Sequence, residues 1–231
     1  MCAEGQNKGL DMPKKPFTAE EIAAQRARIM DSASSVMAEV GFHHLSMRKL
    51  ASQLGMTASN IYNYFPNKET LFVHTRRRGF DLAFADINEQ MINGTNPTQA
   101  LYAFARQLIA FAQRFPGYYQ LMFQPPLLSL DETETVDQEV QLQVERLVEE
   151  WQQHLLSLLT DAVSGMAERP EAAQKQLALF FVASIHGLID SYRYRALPML
   201  LAGVDLIPDD VVQEHISWLL SMIGRQTEQI A

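Results

Sequence analysis

Residues Gly41 to Leu71 read GFHHLSMRKLASQLGMTASNIYNYFPNKETL. Gly41 sits where a preceding helix stops, a position that favours the left-handed backbone glycine tolerates. Ser46 is a good N-cap, and Met47, Leu50, Ala51 and Leu54 follow at helical spacing, so a short helix runs from Ser46 to Leu54. Gly55 ends it. Thr57 opens a third helix, expected to reach about Phe65 before Pro66 stops it. That third helix is apolar only at Ile61 and Phe65; Thr57, Ala58, Ser59, Asn60, Tyr62, Asn63 and Tyr64 point outward. Two short helices about a tight turn make a helix-turn-helix, and a helix of this size fits the DNA major groove. Hydroxyls, amides and phenols suit base edges and phosphates. A helix-turn-helix used only for packing is the plain alternative, and its surface would more often carry Glu and Lys.

Helical signals continue on both sides. Upstream, Thr18 and Glu21 have capping-box spacing, with Ile22, Ile29, Ala33, Val36, Met37 and Val40 at helical period behind them. Residues 1–16 are polar, with Gly5, Gly9, Pro13 and Pro16, and read as a flexible arm whose Lys8, Lys14 and Lys15 could reach phosphates. Downstream, Asn67 caps a fourth helix reaching about Asn93, and Asn96-Pro97 starts one reaching Phe115. Pro116 opens a short helix ended by Pro125-Pro126. The acidic run Asp131 to Glu134 suits the positive end of a long helix whose apolar stripe extends from Val140 through Trp151 to Met166. Two more helices are expected over about 173–195 and 209–227. Strand-type alternation and internal repeats are absent. The expected fold is all-α, with about nine helices.

Charge supports a division of labour. The net charge is −8, yet residues 1–80 carry 11 Lys/Arg against 7 Asp/Glu, and residues 81–231 carry 8 against 20. A basic module that meets a polyanion and an acidic body that does not would produce this asymmetry. The single cysteine, Cys2, excludes a disulfide scaffold and fits a reducing, cytoplasmic setting. The N-terminal residues lack the apolar run of a secretory signal. The apolar stretch Leu177 to Ile189 reads as too short to span a bilayer, so no membrane role is expected. No phosphate-binding glycine loop, nucleophile elbow or metal-ligand spacing is present, and His43-His44 do not share one helical face. An enzyme, a metal site and a cofactor are therefore not expected.

The motif resembles the TetR family of transcriptional regulators. The matching elements are Gly41-Phe42, Ser46-Met47-Arg48, Gly55-Met56-Thr57, Ile61-Tyr62-Asn63-Tyr64-Phe65 and Lys68-Glu69-Thr70-Leu71, in family order and spacing. Ala58, Ser59 and Asn60 depart from the residues common there, which bears on the DNA sequence read and not on the fold. The resemblance implies that Ser46, Arg48, Thr57, Tyr64 and Lys68 meet phosphates. It implies that Ala58, Ser59, Asn60 and Asn63 face bases, and that Tyr62 meets a base or the backbone. Phosphate contacts fix register and base contacts specify sequence. Residues 114–123 resemble a subgroup named for a Trp-His-Gly motif, which here reads Ile185-His186-Gly187.

The resemblance further implies residues 17–66 as the DNA-binding domain and 67–231 as an effector-binding and dimerisation domain. Tyr102, Phe111, Tyr119, Met122, Phe123, Trp151, Phe181 and His186 are candidate effector-pocket residues, since such pockets are mostly apolar with few polar anchors. Each also reads as plain core, and His186 equally as a hydrogen-bonded interior histidine. Gly187, Tyr194, Ile216, Leu219, Leu220 and Ile223 are candidates for a dimer interface built as a four-helix bundle. The expected function is a homodimeric regulator, a repressor released from a palindromic operator by a small apolar effector. The expected partners are double-stranded DNA, a second copy and that effector; the alternative is a DNA-associated protein of this fold that acts mainly through a protein partner.

Overall fold

The computed structural model describes residues 17–90, 96–193 and 209–228. Ten α-helices and one 3₁₀ turn are present among the described residues, and no strand. They are α1 (Ala19–Val40), the 3₁₀ turn Phe42–His44, α2 (Met47–Gln53), α3 (Ala58–Tyr62), α4 (Lys68–Gln90) and α5 (Pro97–Arg114). Then come α6 (Pro116–Phe123), α7 (Leu130–Thr135), α8 (Gln138–Ala162), α9 (Glu171–Arg193) and α10 (Asp209–Glu228). The expected arm and Tyr194 lie outside the described residues.

Local chemistry sets most boundaries. The capping box forms: the Glu21 amide donates to Thr18 Oγ1 over 3.2 Å, and the Thr18 amide donates to Glu21 Oε2 over 2.7 Å. Ser46, Thr57, Asn67 and Asn96 each accept an amide of the helix they precede. Gly41 has φ 83° but ψ 156°, so it leads into the 3₁₀ turn and does not close α1 in the left-handed well. Two boundaries differ from expectation. Helix α3 stops at Tyr62, and only Asn63 and Tyr64 continue it as a turn before Pro66. The acidic run forms a separate helix, α7, and not the start of the long one. Ser129 and Glu132 cap α7 reciprocally, and Asp137 then caps α8 afresh through the Val140 amide at 3.2 Å. The buried Val136 lies between them.

Two apolar cores form. The smaller joins Ile29, Ala33 and Met37 of α1 to Leu50, Ala51, Ile61 and Phe65, and is completed by Leu71 and Phe72 of α4 and Leu121 of α6. The larger runs through α4, α5, α6, α8, α9 and α10. Helix α4 takes part in both, and α6 packs on α1 and α4. Helix α9 is long and apolar enough to cross a membrane by length and composition, yet only 28% of that stretch is buried in the protomer. Within the protomer an apolar face of α9 is left uncovered.

Candidate nucleic-acid interface

The outer face of α2 and α3 is polar and accessible. Arg48, Thr57, Ser59, Asn60, Tyr62 and Asn63 are all exposed there, while Ile61 beneath them is fully buried. Lys49 is exposed beside Arg48 and adds a cation that the motif-based reading passed over; its position next to Arg48 on the outer turn was the available signal. Ser46 is half-buried and holds the Lys49 amide at 3.4 Å. Ala58 and Tyr64 are half-buried, and Tyr64 packs on the smaller core.

Lys68 has company. Its Nζ lies 3.5 Å from Glu132 Oε1 of α7 and 4.6 Å from the Phe42 ring centroid. Glu132 also lies 3.6 Å from His43 Nδ1. The reciprocal bond with the Ser129 amide, then Lys68 and His43, hold the Glu132 carboxyl below its ordinary pKa. The acidic helix α7 thus sits against Lys68 at the start of α4 and His43 of the 3₁₀ turn. Thr135 O accepts from Asn67 Nδ2 at 3.0 Å and fixes the same contact.

In the run Arg76-Arg77-Arg78, the outer two reach across to other helices, while Arg77 pairs along the solvent side of α4. Arg77 pairs with Asp81 at 3.5 Å. Arg78 Nε reaches Asp31 Oδ1 at 3.1 Å and Tyr118 Oη at 3.0 Å, while the Tyr118 hydroxyl donates to Asp31 at 2.6 Å. Burial and that bond to Asp31 push the Tyr118 phenol well above its ordinary pKa, so it stays a donor. Arg76 is half-buried against the Met122 carbonyl at 3.4 Å. This cluster joins α1, α4 and α6.

In the body, the candidate pocket residues form a chain of rings. Tyr119 hydrogen-bonds His186 Nδ1. Phe123 lies 4.7 Å from His186 and 5.3 Å from Trp151, and Trp151 lies 5.7 Å from Phe104. Burial lowers the pKa of His186, with Asp190 opposing, so a neutral, hydrogen-bonded imidazole is favoured. Phe111, Tyr119, Met122 and Phe181 are buried in the larger core. Trp151 lines a cleft of about 230 Å³ between α8 and α9 with Leu155, Leu179 and Lys175, and Tyr102 lines one of about 410 Å³ between α5 and α10 with Arg106.

The dimer candidates divide. Ile216, Leu219 and Ile223 are at most 1% exposed within one protomer, so they face its own core and not a partner. The stripe packs into the larger core of the same chain, with α5 against it. Leu220 is half-buried. Gly187 is exposed, and a Cβ there would meet nothing within 4 Å. It lines up with exposed Gln176, Phe180 and Ala183 on one face of α9, and Trp218 of α10 is 55% exposed.

Residues 29–75 match the family described as "Bacterial regulatory proteins, tetR family", and residues 101–214 match "Tetracyclin repressor-like, C-terminal domain". The chain belongs to the TetR family. The nucleoid occlusion factor SlmA of Aliivibrio fischeri is 26% identical over 110 residues, which is 48% of this chain and 53% of that protein. The regulator RutR of Escherichia coli K12 is 23% identical over 95 residues, 41% of this chain and 44% of RutR. The chain thus spans about half the length of these curated relatives. The transcriptional activator FasR of Mycolicibacterium smegmatis is 22% identical over 171 residues, 74% of this chain and 71% of FasR. Among solved structures, AibR in complex with isovaleryl coenzyme A and operator DNA aligns with TM-score 0.64 at 16% identity, covering 85% and 98% of the two chains. Bacillus subtilis FadR in complex with stearoyl-CoA aligns with TM-score 0.63 at 16% identity, covering 86% and 98%. These likenesses establish the fold. The matched families are regulators and not enzymes.

Proposed function

We propose that this TetR-family chain is a cytoplasmic, homodimeric, sequence-specific DNA-binding regulator, a repressor released from a palindromic operator by a small apolar effector. Residues 17–66 read DNA, and residues 67–231 bind effector and pair the protomers. The observation that carries this is the exposed polar face of α2 and α3, where Arg48, Thr57, Ser59, Asn60, Tyr62 and Asn63 stand over a sealed core. Dimerisation uses the uncovered face of α9 around Phe180, Ala183 and Gly187, which places two heads for two half-sites. The apolar character of the effector is supported by the ring chain, and two fold neighbours were solved with ligands that carry an apolar acyl chain on coenzyme A. An effector that moves α6 acts on the head through Asp31, Tyr118 and Arg78, provided it binds the two states with different affinity.

Selection of random duplex DNA on the purified protein tests the reading. An enriched inverted repeat is expected; a folded dimer that enriches nothing overturns it. The match to a nucleoid occlusion factor favours a second reading, in which DNA is a scaffold and a protein partner carries the function. Many scattered chromosomal sites would support that reading, and one or two promoter sites the first.

A further inference from the structure

We propose that Arg26 is the positioning residue of the recognition helix, and that Asp137 at the cap of α8 sets Arg26 through His74. This rests on the DNA-reading role assigned to α3.

Helix α3 has only five residues, with Ile61 its one buried side chain, so it cannot hold its own C-terminal end. Arg26 of α1 supplies that hold. Its Nη1 donates to the Tyr64 carbonyl at 2.6 Å, just past the last turn of α3. Its guanidinium carbon lies 4.3 Å from the centroid of the fully buried Phe65 ring. A charge-assisted bond and a ring face fix the fork in one plane.

The other arm of the fork leads into the body. Arg26 Nη2 lies 3.3 Å from the ring nitrogens of His74 on α4. His74 Nε2 lies 3.2 Å from Asp137 Oδ2. Nε2–H donates to the carboxylate, and the equal distances to the two ring nitrogens place Nη2 over the face of the imidazole. The second carboxylate oxygen of Asp137 accepts the Val140 amide and caps α8. One carboxylate thus ends α8 and orients the His74 ring, and the face of that ring seats the arginine that holds α3. This route runs from the N-terminus of α8 and does not pass through α6.

Protonation of His74 breaks the chain. It sets a second positive charge against the guanidinium of Arg26. The charged groups around the ring are Arg26 from α1, Asp137 from α8 and Arg77 from α4 itself. Asp137 favours the proton, whereas burial and the two arginines oppose it, so the neutral ring prevails near neutral pH.

The test uses the full-length protein, the inverted repeat it enriches from random duplex DNA and a scrambled duplex. Arg26→Met should lower affinity for the repeat about tenfold, the loss of one charge-assisted bond, and leave the scrambled duplex unchanged. Asp137→Asn keeps a capping oxygen but turns a donor toward His74, and should also weaken binding of the repeat. The double variant should bind no worse than Arg26→Met alone, since both cut one chain. His74→Gln donates and accepts without titrating. It should match the wild type near pH 8 and lack the wild type's fall in specific affinity near pH 5.5. Losses that multiply in the double variant, or Asp137→Asn at wild-type affinity, would overturn the coupling while the DNA-reading role stands. A wild-type protein that enriches no duplex overturns that role, and this inference with it.

Discussion

A Cβ atom on Gly117 would stand 2.5 Å from the main-chain carbonyl oxygen of Ser34. Helices α6 and α1 therefore touch backbone to backbone at this point, where the larger core meets the smaller. Alanine normally stabilises a helix over glycine by about 0.5–1 kcal/mol. Gly117→Ala is expected to do the opposite and cost about 1–3 kcal/mol, the penalty of overpacking, because no flexible side chain is there to yield. Urea titration checks this; a gain in stability would show that the seam gives way freely.

Glu132→Gln should strengthen DNA binding. Glutamine keeps the reciprocal cap with Ser129 but removes the charge that engages Lys68 and His43. With Lys68 released to a phosphate, the slope of log affinity against log salt should steepen by about 1. An unchanged slope would mean that Lys68 does not reach DNA.

Gly187→Arg should leave the protomer folded, since the space beyond its Cα is open, and should separate the dimer. Light scattering coupled to size exclusion would show a monomer, and affinity for the inverted repeat would fall. A dimer that survives the arginine would place the interface elsewhere.

Acid should destabilise the protein before its carboxylates titrate. Burial lowers the pKa of His74, His154, His186 and His215 from the ordinary 6.5. The unfolded chain then binds more protons than the folded one as pH drops through about 6.5, so stability is full above that value and declines below it. Melting temperatures taken between about pH 8 and pH 5 should show the decline. A flat profile there would mean the four imidazoles protonate freely in the fold.

The parts of this fold that were legible in the sequence are those decided within four residues. Thr18, Ser46, Thr57, Asn67 and Asn96 each cap the helix they were expected to cap. The exposure of Arg48, Ser59, Asn60 and Asn63 likewise follows from helical period. What was hidden depends on which partner a face meets. The stripe Ile216, Leu219 and Ile223 has the pattern of an interface, but periodicity does not distinguish a second chain from the chain's own core. Lys68 reads as a phosphate ligand until Glu132, 64 positions later, is folded onto it. The split between α7 and α8 was missed because Asp137 extends an acidic run, and nothing local shows that its carboxylate turns back to cap Val140.

The chain has two tryptophans, and the fold gives them opposite surroundings. Trp151 is 7% exposed and touches Phe123, which also meets His186; Trp218 is 55% exposed on α10. Intrinsic fluorescence therefore comes in two separable colours. A blue-shifted component, shielded from iodide, reports on the ring chain. A red-shifted, quenchable component reports on the outer surface of α10. Ligand occupancy and self-association could be followed separately in one cuvette, without a dye or a mutation.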